Sequence, residues 1–533
     1  MTDETRETRE RTLVIHPLLF AVYPVLFLFS QNIRQFRLSV ILEPLGVLLV
    51  AAAVLWTVLG LVLRHARKAA IIVSLSYLLF FSYELIRNVL PQFTWVVWKG
   101  FNIGPGKVTV AGLGLVFLAV LVPTVLTKRD LRKLTRVING VAVVLVLLPV
   151  FSIMTFELGS RQRNLKISGE RPAWDNAPIP DDPSGFPDIY YIICDAYTRD
   201  DILREYYGYD NRYFLEWLEQ QGFYVAREGC TNHNDTALSL AASLNMTPAP
   251  DLVEEMGAAC ADTASMTEAI RNNRVMRFLK RRGYQTVAFW TSYVVTDMTY
   301  ADAFLTDVGW WGAEFKNGLL EMTPVVRVVK KLSRNEKRRR QILSTLEGLK
   351  VVASRRSPKF VYAHVMAPHR PFVFGPNGEP VDPPHLYPPG GPEWPGEKER
   401  ADYQKFYADQ LTFLNKKLME VVVGIKENST VPPIIVIQGD HGACSLIPDF
   451  DHPTVEGLRE RMSILNAYHL PSGGNELLYP GITPVNSFRV IFNHYFGTRL
   501  PLLEDRSTYK PPSHRHFVDV TDSVRGARLG EGK

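Results

Sequence analysis

Cysteine is scarce in this chain. The 533 residues hold four, Cys194, Cys230, Cys260 and Cys444, with no CxxC pair and no Cys/His cluster. That pattern excludes a structural zinc module of the finger or ribbon kind. A bridge between Cys230 and Cys260 and a pair of buried free thiols are both compatible with the sequence. No internal repeat or low-complexity tract is present, which argues against a solenoid. Neither sign of charge dominates, with 60 Lys and Arg against 54 Asp and Glu, and no nucleic-acid partner is expected. The single short apolar run of a cleaved signal peptide is missing as well.

What stands in its place is five long apolar runs, at about 13–31, 43–63, 69–86, 108–127 and 136–155, each of 18 to 21 residues. At 1.5 Å per residue such runs match the ~30 Å hydrocarbon core of a bilayer. Residues 1–155 therefore read as a membrane domain of five transmembrane helices. The third is the weakest, because Glu84 and Arg87 lie at its end. Five spans put the two ends of the chain on opposite sides. With the N-terminus inside, the inner segments carry eleven basic residues, among them Arg64, Arg67, Lys68 and the cluster Lys128–Arg136, against five in the outer loops. The positive-inside rule then places the large C-terminal part outside the cytoplasm. Trp95 and Trp98, in an outer loop, suit the membrane interface.

Residues 156–187 read as a linker, Pro-rich in "RPAWDNAPIPDDPSGFP" (171–187). Beyond it, "DIYYIICD" (188–195), "QTVAFW" (285–290), "KFVYAHVM" (359–366), "PPIIVIQGD" (432–440) and "SILNAYHL" (463–470) have strand character. Segments of helical period, such as 199–220, 268–282 and 400–426, lie between them. This alternation predicts an α/β domain over 188–510 with a mostly parallel central sheet, followed by a polar tail, 511–533. The basic run "RNEKRRRQ" (334–341) reads as a solvated helix face, with contact to anionic head groups as the alternative. The Pro/Gly-rich stretch 371–396 reads as a long loop, of a kind that is functional or disordered, and it begins beside His369.

Three of the strands end alike, with an apolar run that stops at ligand-type residues. The first delivers Asp195, the third His364 and then His369, and the fourth Asp440 and His441. In an open parallel sheet these carboxyl ends share one edge, where such folds place their sites. A fourth stretch, "NHNDTALSLAASLNM" (232–246), reads as a helix opened by Asp235 or Thr236. A helix N-terminus there offers a positive field to a phosphate.

These stretches, in this order and spacing, resemble the alkaline phosphatase superfamily over about residues 186–510. Within it they are most similar to membrane-anchored sulfatase-like proteins, lipoteichoic acid synthases and phosphoethanolamine transferases. The resemblance rests on the Asp that ends the first strand, the Thr that opens a helix, "PHRPF" (368–372) and "GDHG" (439–442). It implies that Asp195, Asp440 and His441 hold a divalent metal, zinc or manganese, with Thr236 as nucleophile and fourth ligand. It implies for His369 a place against the ester oxygens or the leaving group. His364, Arg370 and His452 are candidates for the substrate side, His364 with a purely structural role as the alternative. One metal is the base case, and a second would need further ligands, for which His452 is available.

Sulfatases of the superfamily mature a Cys or Ser that is followed by Pro and Arg. The local sequence here is "NDTALSL", so the resemblance implies phosphoryl rather than sulfuryl chemistry. The expected function is transfer of a lipid head-group unit, of phosphoglycerol or phosphoethanolamine type, to a surface glycan or other hydroxyl. Hydrolysis, with water as acceptor, is the alternative within enzymes, and a non-catalytic membrane protein keeping a decayed enzyme domain is the alternative outside them. The orientation can be checked directly. Protease added to intact spheroplasts should cleave the chain beyond residue 187 while the loop 128–136 stays protected, and protection of the C-terminal part would overturn the assigned topology.

Overall fold

The computed structural model of the chain describes residues 12–533 apart from 34–37, 90–94, 97–101, 170–174, 176, 178, 180, 181, 184, 258–261, 306–312, 328–333, 384–396, 514, 515 and 526–533. It falls into two units: residues 1–169 with 311–331, and residues 170–310 with 332–533.

In the first unit the apolar runs are helices, as a chain without water to satisfy its backbone requires: His16–Gln31, Leu42–Leu63, Ala66–Phe81, Tyr83–Val89, Pro105–Leu126 and Arg132–Gly169. Among the described residues, three are long and apolar enough to cross a bilayer: Leu42–Leu63, Pro105–Leu126 and the Arg132–Leu158 part of the last. The run expected at 13–31 gives a helix of 16 residues, about 24 Å long at 1.5 Å per residue. The run expected at 69–86 is broken by a 48° bend between Phe81 and Tyr83. Ser82 Oγ donates to Leu78 O at 2.6 Å, and Glu84 N–H leaves the helix ladder for Met322 O at 3.3 Å. Diverting donors in this way is a recognised cause of kinks. The last helix also continues past 155, where the linker was expected, and reaches Gly169. No proline follows until Pro172 to stop it.

The second unit is built on a seven-stranded sheet: β1 (Ile189–Cys194), β2 (Tyr224–Val225), β3 (Gln285–Phe289), β4 (Ala303–Leu305), β5 (Lys359–Val365), β6 (Ile434–Gly439) and β7 (Asn466–His469), in the order β2-β7-β6-β1-β5-β3-β4. The five strands from β6 to β4 are parallel, and β7 runs antiparallel to both β6 and β2. Every residue of β1, β5 and β6 is buried, as expected of parallel strands covered on both faces. Tyr190, Ile192 and Cys194 pack with Phe214, Leu218, Leu346 and Leu418 on one side. Ile189, Tyr191 and Ile193 pack with Leu240, Phe278 and Phe488 on the other.

Register positions the site. Cys194 lies opposite Val365 on β5 and Gly439 on β6, so Asp195 and Asp440 leave the sheet at the same level. At the opposite end, Asp188 accepts from Lys359 N at 3.0 Å and from Ser357 Oγ at 3.0 Å, and it pairs with Lys359 Nζ.

Of the linker, Asp175 is buried and ion-paired with Arg281 and Arg282. Beyond residue 510, Val518–Asp519 pairs with Thr508–Tyr509. Val520 and Val524 are buried with Leu458 and Met462, so this stretch is more than a polar tail. Cys194, Cys230 and Cys444 are free and buried. Cys260 lies outside the described residues, and with it the choice between a Cys230–Cys260 bridge and free thiols. Lys359→Met would leave Asp188 buried without its cation. A loss of about 3–5 kcal/mol is expected, read as a lower urea midpoint of the detergent-purified chain.

Candidate functional site

Asp440 follows β6 directly, and its Oδ1 accepts from Ala196 N at 3.0 Å and from His441 N at 2.9 Å. Asp195 follows β1, and the next residue, Ala196, is held at φ +63°. That left-handed conformation costs an alanine of order 1 kcal/mol, and Tyr407 OH secures it by donating to Ala196 O at 2.7 Å. Two carboxylates thus meet in a dry place, each 2% exposed. Burial and the Asp440 charge push Asp195 well above the usual carboxylate range. Burial also works to raise Asp440, but the neighbouring His441 and His364 and the Ala196 N–H outweigh it and hold the group low.

His364 sits on β5 with Nε2 3.6 Å from Asp195 Oδ2. Its Nδ1 lies 3.0 Å from Thr296 Oγ1, and that hydroxyl donates to Tyr293 O at 3.2 Å. Thr296 therefore accepts from His364 Nδ1–H, which leaves the Nε2 lone pair facing the carboxylates, the arrangement usual for a metal-binding imidazole. His441 is set the same way. Its Nδ1–H donates to Gly442 O at 2.9 Å, and its Nε2 lies 3.4 Å from Asp440 Oδ2 and 3.8 Å from Asp195 Oδ1. Burial drives His364 to about 4 against the pull of Asp440. Burial and the Arg461 charge drive His441 to about 4. Both rings are neutral, as ligands must be.

Asp195 Oδ1, Asp440 Oδ2 and His364 Nε2 are buried without a hydrogen-bond partner. These three residues offer ligand atoms within 4.8 Å of one another. Unsatisfied buried acceptors are rare and call for an explanation. A divalent cation bound by two carboxylates and imidazole supplies one, so the residues fit the expected metal. The structure also moves His364, expected on the substrate side or in a structural role, into this group.

Thr236 opens the helix Thr236–Asn245 but does not cap it. Asp235 does, accepting from Ala237 N at 2.9 Å and Leu238 N at 3.3 Å. With the capping done elsewhere, the Thr236 hydroxyl is available and donates to His441 Nε2 at 3.0 Å. Gly442, after His441, has no room for a side chain, since a Cβ there would lie 1.9 Å from Glu460 O.

A cavity of about 700 Å³ opens over this group, lined by Asp195, Thr236, His441, His369, Arg370, Arg338 and Arg461 among others. The backbone N–H of His369 donates to Asp195 O at 3.0 Å. Its Nδ1–H donates to Arg370 O, so Nε2 is a proton acceptor, and burial first, with His441 close by, holds its pKa well below the usual imidazole value. Arg461 has no counterpart in the sequence reading. Its Nε donates to Asn234 O at 2.8 Å and its Nη1 to Gly442 O at 3.0 Å, joining the stretch before Thr236 to the stretch after His441. Arg338 comes from the run read as a solvated face. With Asn335 three residues earlier it faces the cavity, a helical spacing that could have been read. His452 is a correction. Its side chain is 82% exposed, pairs with Asp449 at 2.9 Å and stays out of the cavity. Nearness in sequence to "GDHG" did not make it a neighbour in space.

Neither protein-family models nor curated proteins match the sequence. Solved structures do. The C-terminal periplasmic domain of EptC from Escherichia coli is 12% identical, covering 67% of this chain and 99% of that one, with a TM-score of 0.44. The lipoteichoic acid synthase LtaP from Listeria monocytogenes is 14% identical over 62% of this chain and 79% of that one, with a TM-score of 0.37. The integral membrane lipooligosaccharide phosphoethanolamine transferase A from Neisseria meningitidis is 13% identical over 90% of this chain and 95% of that one, with a TM-score of 0.38. The chain is thus similar, at low identity, to the same enzyme groups that its four sequence segments resemble.

Proposed function

We propose that the protein is a membrane-bound, metal-dependent phosphotransferase of the alkaline phosphatase superfamily, anchored by five spans with its catalytic unit outside the cytoplasm. The donor is a membrane lipid, and the transferred unit is a head-group phosphoryl of phosphoglycerol or phosphoethanolamine type. The acceptor is a hydroxyl on a surface glycan or similar molecule. One observation carries this reading: three buried, unpartnered ligand atoms converge where a threonine hydroxyl, freed from capping, is directed at His441.

Asp195, Asp440, His441 and His364 would hold zinc or manganese, with Thr236 at the edge of the set. A cation bound there makes a threonine alkoxide accessible near neutral pH and offsets charge on the ester. The chain supplies the rest. Thr236 Oγ1 bonds to phosphorus as the bond from phosphorus to the diacylglycerol oxygen breaks. His369 Nε2 takes the threonine proton and returns it to the leaving alkoxide. Arg338, Arg370 and Arg461 face the phosphoryl oxygens with fixed positive charge. In the second step the acceptor oxygen bonds to phosphorus as the bond from phosphorus to Thr236 Oγ1 breaks, and the acceptor's proton passes through His369 Nε2 to Thr236 Oγ1. A tethered catalytic unit meets lipid head groups at high effective concentration, which favours a lipid donor over a soluble one.

Asp440→Asn and His364→Gln should each keep the fold while lowering metal affinity by at least about tenfold, judged against the 10–100-fold cost of changing a partner of a ligand. Metal content after dialysis decides, and an unchanged value removes that residue from the set. Thr236→Ala should keep most of the metal and lose turnover, whereas Thr236→Ser retains part of it. Mass spectrometry after incubation with phospholipid should find the head-group adduct on Thr236. Normal turnover by the alanine variant would defeat the covalent mechanism.

A further inference from the structure

The stretch between β4 and the helix Arg334–Ala353 leaves the catalytic unit. Residues 311–331 group with the first 169 residues. Its helix, Ala313–Glu321, buries Phe315 and Leu319 among Val25, Leu26, Phe29, Ile41 and Ile153. The rings of Phe315 and Phe29 meet edge to face at 6.4 Å, a favourable aromatic geometry. Lys316 Nζ reaches Glu43 Oε2 at 2.6 Å. Gly318 lies so close to Leu28 that a Cβ would stand 3.2 Å from its Cδ2. Met322 O receives the Glu84 N–H released at the bend.

The partners of this segment are not scattered. Leu28 and Phe29 end the first helix, Glu43 begins the second, and Glu84 follows the bend that ends the third. These are the ends that the count of basic residues assigns to the outer side. A stretch from the C-terminal part of the sequence therefore meets the membrane unit on the side where that part is expected.

We infer that residues 313–322 are a second anchor, whose docking surface is the outer ends of the first three membrane helices together with Ile153 of the last. The catalytic unit is then fastened at two places along the chain: covalently after Gly169, and by packing at Phe315 and Leu319. The next described element of the catalytic unit is the helix Arg334–Ala353, which brings Arg338 to the cavity.

The test uses the full chain, purified in detergent, with one protease recognition sequence inserted after Arg171 and an affinity tag at the N-terminus. After cutting, the C-terminal fragment should still co-purify with the tagged membrane fragment. With Phe315→Asp and Leu319→Asp together, most of it should be lost on cutting, while the uncut variant elutes as wild type. Should that variant aggregate, the charge pair decides. Lys316→Glu should lower retention at low salt and Glu43→Lys should restore it. Separation of the wild-type fragments on cutting, undiminished retention in the double variant, or no effect of the charge exchange would overturn the second anchor.

Discussion

Two carboxylates buried side by side form the constraint around which the catalytic unit is arranged. Parallel pairing of β1 with β6 places Asp195 and Asp440 at one level, and the sheet is too well covered for water to relieve them. Like charges at such a spacing cannot both ionise without compensation. The surroundings supply it in part. Ala196 and His441 give Asp440 two backbone donors, and Arg338 and Arg461 lend charge to Asp195. What remains, three unpartnered atoms facing one another, is a demand for a cation built into the fold.

The histidines and loops of the site follow from that demand. Neither His364 nor His441 is free to turn, because each spends its Nδ1–H on a fixed oxygen. Arg461 and its neighbour Glu460 hold the loop after β6 from two sides. Arg461 takes Gly442 O, while Glu460 accepts from Ser445 N at 2.9 Å and Leu446 N at 2.7 Å. A site supported in this way is preorganised, and little of the binding free energy of a substrate need go into ordering it.

Strand endings were legible in the sequence because a buried strand that stops on an acid or an imidazole breaks its own pattern. That rule marks Asp195, His364, Asp440 and His441, and β1, β3, β5, β6 and β7 lie within the stretches of strand character. Other residues were hidden for physical reasons. Arg461 and Thr296 act through backbone carbonyls and a second-layer hydroxyl, which leave no mark in composition. Arg338 was masked by the basic residues around it, and His452 was misjudged because chain proximity stood in for distance. In the membrane part the length of an apolar run identified the helices. It did not fix where they bend, because the bend depends on Glu84 donating to a carbonyl far along the chain, at Met322.

That long-range partner makes the membrane unit discontinuous in sequence, with consequences for synthesis. Gly169 and Ala313 are separated by four of the sheet's seven strands, β1 to β4. At 5–20 residues per second the ribosome needs roughly 7 to 30 seconds to cross that gap. During this interval the helices are already inserted while the apolar seat around Phe29 and Ile41 stands empty, a surface open to lipid or to a chaperone. The half-made catalytic unit meanwhile lacks both β5 and β6, so its parallel sheet cannot close. The seat is filled just before β5 is translated, and the growing domain is moored to the membrane ahead of the strands that complete its sheet.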